Sequence, residues 1–161
     1  MSLHKKLQLC AVGSHESLQA SRLAHDGIKH AVVHLACVTK RREVLLVMNN
    51  GLWGFPRRAA PMSGTLILFP DKIIKKELGY EPEQLRGGSP TCADTKLLGQ
   101  YVDDEDILHF VMCINIFRTD CKHWKYVNPG QSLDIDCDET VQLSASKLGL
   151  LLKNELALQA T

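Results

Sequence analysis

Two groups of charged residues in this chain could bind or transform a phosphate. The first is basic and consists of Arg57, Arg58, Lys72, Lys75 and Lys76, with Glu77 directly after it. The second is an acidic run at positions 103–106. Lysine and arginine bind phosphate oxygens as cations, whereas Mg²⁺ and Mn²⁺ need several hard oxygen ligands such as carboxylates. The first group therefore favours metal-free binding, and the second is the densest source of metal ligands.

Positions 73, 76 and 77 decide whether the basic group could also contain a metal site. In a helix they are spaced i, i+3 and i+4, so we expect them to share one face. That face offers Ile73, Lys76 and Glu77, which is one carboxylate beside an ammonium group. A like charge at a few Å disfavours a metal cation by about 1 kcal/mol in water and by several at the dielectric near a protein surface. We expect no metal and no catalytic residue here.

The acidic run at 103–106 is the alternative source of metal ligands. Successive acids at the tip of a hairpin are typical of a solvated turn, and they do not converge on one ion without an EF-hand-like loop. The alternative of a divergent site that combines Glu77 with this turn and uses Mg²⁺ or Mn²⁺ stays open.

Composition indicates an ordinary globular protein. The chain has 161 residues, 45% of them apolar, which is enough for one domain with a sizeable core. The nineteen basic residues nearly balance the eighteen acidic ones. Any electrostatic attraction to a partner must therefore come from local patches. The apolar runs are shorter than the ~18 to 20 residues of a membrane helix. We expect no membrane association and an intracellular location, cytoplasmic or nuclear, with a mitochondrial location as the alternative.

Cysteine usage agrees with an intracellular location. The six cysteines form no CxxC pair, and the histidines show no metal-ligand spacing beside them. We expect reduced thiols packed as small apolar groups.

The elements that must position the basic group begin with a hairpin. Residues 30–39 and 43–48 are rich in β-branched side chains and flank a basic turn at 40–42. Residues 49–51, Asn-Asn-Gly, predict a second turn because Asn and Gly tolerate a positive φ.

A helix is predicted from Pro70 or Asp71 to Gly79. Proline suits the first position of a helix, and glycine suits the position just after its end. The helix would present an apolar stripe made of Ile73, Ile74 and Leu78. The apolar run before it, residues 66–69, is either a contact surface or additional core.

The second half of the chain predicts another hairpin between two loops. Residues 81–95 contain Pro and Gly and predict a loop. Residues 96–102 and 107–117 predict two strands joined by the acidic turn, because apolar residues alternate along the second of them. Residues 121–138 predict a long loop that carries Trp124 and Tyr126.

The end of the chain predicts a short strand and a closing helix. The strand is expected at 140–143, followed by Ser144 as an N-cap and a helix over 145–158. We divide the chain into an N-terminal extension, residues 1–29, with a short strand and helix, and one domain over residues 30–158.

This order of elements, with the motif Gly-Leu-Trp-Gly-Phe-Pro at residues 51–56, is similar to the Nudix fold. The similarity covers residues 30–155. It implies an α/β fold, an α/β/α sandwich around a mixed β-sheet.

The resemblance also identifies where the family's metal-binding box should lie. Aligned without a gap on its closing glycine, the box keeps one carboxylate, Glu77. The positions of its other glutamates are occupied by Gly64, Ile73 and Lys76, and Arg58 replaces its first glycine. The resemblance therefore implies the family's architecture without its metal ligands.

We expect a non-catalytic binding or scaffold protein with no cofactor. One expected ligand is RNA or a nucleotide phosphate, and the residues expected to hold it are Arg57, Arg58, Lys72, Lys76 and, as a stacking surface, Trp53. The other expectation is a protein partner in a larger assembly. The alternative is a divergent hydrolase of nucleoside-diphosphate derivatives that uses Glu77, the acidic turn and Mg²⁺ or Mn²⁺.

Overall fold

The computed structural model of the chain describes residues 30–60, 66–86, 95–129, 136–145 and 148. These residues contain seven strands, β1 (His30–Val38), β2 (Val44–Asn49), β3 (Leu52–Gly54), β4 (Arg57–Ala60), β5 (Lys96–Val102), β6 (Ile107–Asn115) and β7 (Trp124–Val127). A 3-10 turn (Leu66–Leu68) leads into helix α1 (Phe69–Ile73), which continues as a π-helical turn (Ile74–Leu78). Helix α2 spans Pro82–Arg86, and helix α3 covers residues 139–145.

All seven strands form one mixed sheet with β1 at its centre. The strand order is β3-β2-β1-β6-β5, with β4 also paired to β1 and β7 also paired to β2. Strands β1 and β6 run parallel over the full length of β1, and every other pair is antiparallel. The predicted mixed sheet is confirmed.

Each face of the sheet has its own apolar core. Ala31, Val33 and Leu35 of β1 point towards the helical segment 69–78. Ala36 and Val38 point to the opposite face, where they pack with Val141 and Leu148. Because successive side chains of a strand alternate between faces, one buried strand supplies both cores. The result is the predicted α/β/α sandwich.

Both predicted hairpins are confirmed. Strands β1 and β2 flank the basic turn, and strands β5 and β6 flank the acidic one. The turn between β2 and β3 has positive φ at Asn50 (53°) and Gly51 (82°), as its sequence predicts. Asp106 closes the acidic turn with a φ of 59°.

The predicted helix is present and ends at the expected glycine. It starts at Phe69, and Gly79 caps it with a left-handed φ of 77°. Leu66 and Phe69 are buried, whereas Leu68 is 58% exposed. The apolar run at 66–69 is therefore mainly additional core.

Residues 81–95 are not entirely loop, because they contain α2. Pro82 opens this helix, and the Gln84 Oε1 atom accepts the Glu81 N–H at 2.9 Å. This is half of a capping box, and Leu85 then inserts into the core.

Two predictions near the C-terminus are wrong. Residues 124–127 form strand β7 on the edge of β2, where Trp124 pairs with Val47, so 121–138 is not one long loop. Residues 140–143 are helical, because the N-cap of α3 is Asp138 and not Ser144. Asp138 Oδ1 accepts the Val141 N–H at 3.0 Å.

Some predictions lie outside the described residues. These are the extension at 1–29 and the part of the closing helix beyond 145, apart from Leu148. Among the residues that the structure describes, no helix is long and apolar enough to cross a membrane.

Candidate functional site

The retained box carboxylate is held by an arginine. Arg58 projects from β4 and its Nη1 atom donates to Glu77 Oε1 at 3.0 Å. The two side chains are 39% and 38% exposed. A pair this accessible contributes roughly 0 to 1 kcal/mol to stability. The pair also has a chemical effect, because the positive guanidinium offsets the charge of the one box carboxylate that is retained.

Positions 73, 76 and 77 do not form one exposed surface, which corrects the sequence prediction of a shared face that could hold a metal. Ile73 is fully buried in the core, whereas Lys76 and Glu77 are exposed. The backbone changes from α- to π-helical hydrogen bonding after Ile73, so α-helical spacing does not extend across these positions. An isoleucine in the core and a lysine in solvent leave Glu77 without a neighbouring carboxylate on this helix surface.

The other residues predicted to bind a ligand lie in two places. Lys72 is exposed, with its Nζ atom 5.5 Å from the centre of the Phe69 ring, on the helix side. Arg57 and Arg58 are adjacent on β4 and point to opposite faces, and Arg57 Nη1 donates to Asp138 Oδ2 at 2.9 Å. Trp53 is half-buried and packs against the same core as α3. The structure thus brings Arg58 and Glu77 together and separates Arg57 and Trp53 from them.

The acidic turn is organised by its own first residue. Asp103 Oδ1 accepts the N–H groups of Glu105 and Ile107 at 2.8 and 3.0 Å. Its Oδ2 atom lies 2.8 Å from His109 Nε2. Burial opposes ionisation of Asp103, but the hydrogen bonds from His109 and the two backbone amides outweigh it and lower the pKa of this carboxyl. Within the described ranges, no three His, Cys, Asp or Glu side chains are grouped so that they could hold a metal.

Sequence reasoning missed a pair of histidines, of which His34 is buried and His109 is partly buried. His34 Nε2 and His109 Nδ1 are 2.8 Å apart, so one N–H is shared between the two rings. With Asp103 ionised, His109 donates from Nε2. A neutral His109 then accepts at Nδ1 from His34 Nε2–H. In that state His34 Nδ1 is an acceptor, and it has no hydrogen-bond partner among the described atoms.

The histidine pair connects the sheet to the start of α3. Thr140 Oγ1 lies 2.6 Å from the Tyr101 hydroxyl and 3.5 Å from His34 Nε2. The rings of Tyr101 and His109 are stacked with centroids 4.6 Å apart. Burial lowers the pKa of His34, and His109 and Arg57 lower it further. Burial raises the pKa of Tyr101 above its ordinary value, although the Thr140 hydrogen bond opposes the shift.

Little in the sequence could have revealed this network. His109 interrupts an alternating strand, but its partner His34 is 75 residues away. The parallel pairing of β1 with β6, which places Val32 opposite His109, brings the two rings together.

No protein-family model matches this sequence, and no curated protein matches it at a significant level. Solved structures match its fold. The C-terminal domain of mouse MUTYH, in complex with human PCNA, has a TM-score of 0.56 at 14% identity and covers 78% of this chain and 90% of that one.

Two further solved structures match the fold. RenU, a Nudix hydrolase of M. smegmatis, has a TM-score of 0.53 at 16% identity, covering 81% of this chain and 91% of that one. A MutT structure from work on the Aliivibrio salmonicida and Vibrio cholerae proteins has a TM-score of 0.50 at 11% identity, covering 76% and 97%. At these identities the likeness concerns the fold alone. The architecture is an α/β/α sandwich around a mixed sheet. It is a Nudix-like fold.

Proposed function

We propose that this chain is a non-catalytic Nudix-fold module that binds a ligand or a partner and does not hydrolyse it. The observation that carries the proposal is the Arg58–Glu77 ion pair at 3.0 Å. Hydrolysis of a diphosphate at neutral pH needs a metal held by several oxygen ligands to neutralise charge and activate water. Here the single remaining box carboxylate faces a guanidinium, and Ile73 and Lys76 occupy two former ligand positions.

A phosphate-bearing ligand is one class of partner that the surface supports. Lys72, Lys75 and Lys76 are all exposed on the helical segment 69–78. Ammonium groups bind phosphate oxygens without a metal, and such binding weakens as salt is added. RNA and nucleotides present this chemistry.

A protein partner is the other class. The MUTYH domain that shares this fold was solved in a complex with PCNA, which supports the use of such a sandwich as a docking unit. A scaffold role needs a stable fold with accessible faces, and the two apolar cores, one on each side of the sheet, support the first condition.

The alternative function is divergent hydrolysis of nucleoside-diphosphate derivatives. It is supported by one observation: Glu77 is retained, and its side chain is partly exposed. In that case Glu77 would have to leave Arg58 and act with carboxylates from the acidic turn.

A turnover assay separates the two functions. Purified protein is incubated with dinucleoside polyphosphates, ADP-ribose, NADH and capped RNA in the presence of Mg²⁺ or Mn²⁺. The proposal expects no product. Turnover that Glu77→Gln abolishes would establish the hydrolase instead.

Binding assays then distinguish the two classes of partner. Salt-sensitive binding of nucleotide or RNA that is lost in Arg58→Glu or Lys76→Glu would locate a phosphate ligand at the former catalytic surface. If no such ligand binds, affinity purification should recover a stoichiometric protein partner. A monodisperse protein that recovers none would count against a scaffold.

A further inference from the structure

The basic turn between β1 and β2, residues 40–42, lies apart from the Arg58–Glu77 pair. Its sequence is Lys-Arg-Arg. Arg58 is opposite Val33, in the first half of β1, whereas the turn follows Val38, the last residue of that strand. The basic turn is therefore a surface that the proposed function has not used.

The backbone of the basic turn is fixed by hydrogen bonds. The Thr39 N–H donates to Glu43 O at 2.9 Å, and the Arg42 N–H donates to Thr39 O at 3.0 Å. The Thr39 hydroxyl oxygen accepts the Glu43 N–H at 3.3 Å. Arg42 has a left-handed φ of 62°. Because these bonds define the turn, a partner that binds its side chains does not have to order the backbone first.

The three cations of the turn are close together in the chain and accessible. Lys40 and Arg41 are exposed, and Arg42 is half-buried. Within the part of the chain that the structure describes, none of the three forms an ion pair. Neighbouring like charges repel each other, and ordinary exposed surfaces mix the two signs. The turn therefore presents uncompensated positive charge.

The carboxylate that follows the turn is engaged elsewhere. Glu43 Oε1 accepts from Arg118 Nη1 at 2.6 Å, and Arg118 Nε donates to Asp120 at 3.4 Å. Arg118 reaches Glu43 from the segment after β6, across the end of β1. The Glu43 and Asp120 carboxylates are thus directed to Arg118, and the basic turn keeps its charge.

An exposed aromatic side chain lies at the same end of the sheet. The Ile116 N–H donates to Val38 O at 2.8 Å, which extends the pairing of β6 with β1 beyond Asn115. Phe117 comes next and is 54% exposed, although its N–H is bonded to Leu85 O at 2.6 Å. A single exposed apolar side chain is common on protein surfaces. At the same end of the sheet as an uncompensated charge, it adds a contact for an apolar group.

We propose that the basic turn and Phe117 form a docking surface for an acidic segment of a protein partner. The carboxylates of that segment would bind the three cations, and an apolar side chain would pack on the Phe117 ring. Arginine suits this role because its planar guanidinium binds a carboxylate through two hydrogen bonds. The inference rests on the proposed function in that it assigns a surface to the class of protein partners.

A protein segment fits this surface better than a nucleic acid does. The turn is short, and the Glu43 and Asp120 carboxylates lie next to it in the Arg118 cluster, so a phosphate backbone that continued past the turn would meet negative charge. A short acidic segment places its charges over the turn alone. The whole chain has a formal net charge of only +1, whereas nucleic-acid-binding domains usually have a broad basic surface.

Fluorescence anisotropy tests this surface with defined probes. A fluorescein-labelled peptide of glutamates around one leucine is titrated with the full chain at low and at physiological salt. The comparison probes are the same peptide with glutamine in place of glutamate, and an oligouridine RNA of equal charge. We expect saturable binding of the glutamate peptide that weakens as salt is added, and no saturable binding of the glutamine peptide.

Charge reversal locates the binding. Arg41→Glu should weaken binding of the glutamate peptide by about fivefold or more, and Lys40→Glu with Arg41→Glu should abolish it. The matched control is Lys122→Glu, which changes the net charge as much as Arg41→Glu does and alters an exposed lysine outside the turn. It should leave the affinity within about twofold. Phe117→Ala should weaken binding of this peptide and leave unchanged the binding of a peptide with serine in place of leucine.

Neutralising Glu43 should have the opposite effect. Glu43→Gln keeps the backbone bonds of the turn and removes one carboxylate beside it, so the glutamate peptide should bind about twofold to fivefold more tightly. A merely structural role of Glu43 predicts no gain. An unchanged or weaker affinity would contradict the placement of the peptide carboxylates on the turn.

The proposal fails in three cases. These are no saturable binding of the glutamate peptide, equal binding by the parent and the double reversal, and tighter binding of the RNA than of the peptide at the turn. Each of them leaves the non-catalytic function standing. Metal-dependent hydrolysis of a nucleotide by the parent chain would overturn the non-catalytic function and leave the docking surface standing.

Discussion

The carboxylate of Asp138 occupies the space beside Gly54 where a β-carbon would otherwise lie. Asp138 Oδ2 accepts from Arg57, and Oδ1 accepts the Val141 N–H that caps α3. Its backbone N–H donates to Trp53 O at 3.0 Å. The second glycine of the 51–56 motif is thus explained by packing, because the cap of α3 is pressed against the backbone there.

Replacing Gly54 with alanine should destabilise the fold. Asp138 cannot withdraw from a new methyl group without breaking the Arg57 contact or the helix cap. Overpacking of this kind typically costs about 1 to 3 kcal/mol, measured as the free energy of unfolding in urea. Gly51→Asn is the control, since Gly51 has nothing within 4 Å and Asn tolerates its left-handed φ. Equal losses in the two variants would contradict the close approach.

A carboxylate at position 73 should destabilise the fold, even though the family's box has one there. Ile73 is fully buried, so Ile73→Glu would place a charge in the core and should cost about 3 kcal/mol or more, or prevent folding. Ile73→Val should cost about 0.5 to 1.5 kcal/mol. Lys76→Glu, on the exposed surface, should change stability by no more than about 0.5 kcal/mol. If Ile73→Glu unfolds at the same urea concentration as the parent, position 73 faces solvent and the burial assigned to it is wrong.

The protein should lose stability as the pH decreases, because of His34. The pKa of His34 is lowered in the folded state by burial, by His109 and by Arg57, whereas in the unfolded chain it lies near the ordinary histidine value of 6.5. The unfolded state therefore binds more protons below pH 6.5, and stability is lost as the pH falls from there through the folded pKa. The lowered pKa of Asp103 adds a loss of the same sign below its ordinary value of 3.8.

Urea unfolding at several pH values measures this loss. His34→Gln should show a flatter decline of the unfolding free energy between neutral and mildly acidic pH. His123→Gln, which removes an exposed histidine, controls for the loss of one titrating group. A decline in His34→Gln as steep as in the parent would assign the pH dependence elsewhere.

The bond between Tyr101 and Thr140 should couple the sheet to α3. The two hydroxyl oxygens are 2.6 Å apart and buried. Tyr101→Phe should cost about 1 to 3 kcal/mol, because it leaves the Thr140 hydroxyl without that partner. In the double variant with Thr140→Val the loss should be smaller than the sum of the single losses. Additive losses would show that the two groups do not interact.

Local patterns predicted much of the architecture. Alternation along residues 107–117 and the β-branched run at 30–39 predicted strands β6 and β1. Neither pattern predicted that these two strands pair in parallel. The prediction of a helix from Pro70 or Asp71 to Gly79 placed its start within two residues and its end at the observed cap. These signals are local, since each depends on neighbours within a few positions.

The parts that failed depend on tertiary contacts. Strand β7 is four residues long, and it forms because β2 offers it an edge. The cap of α3 is Asp138 because the sheet holds that carboxylate against Gly54 and Arg57. The Arg58–Glu77 pair joins residues 19 positions apart, and no spacing rule connects them. The sequence alignment places Arg58 at the first glycine of the box, but it could not predict that Arg58 contacts Glu77.

The non-catalytic function is tested most directly by product formation at stoichiometric protein. The parent chain, Arg58→Ala and Glu77→Gln are each incubated at length with ADP-ribose and a dinucleoside polyphosphate, with Mg²⁺ or Mn²⁺ and with EDTA, and product is quantified by chromatography. We expect no metal-dependent product from any of the three, including Arg58→Ala, in which Glu77 is released from its partner. Metal-dependent product from the parent or from Arg58→Ala that is absent in Glu77→Gln would contradict the account.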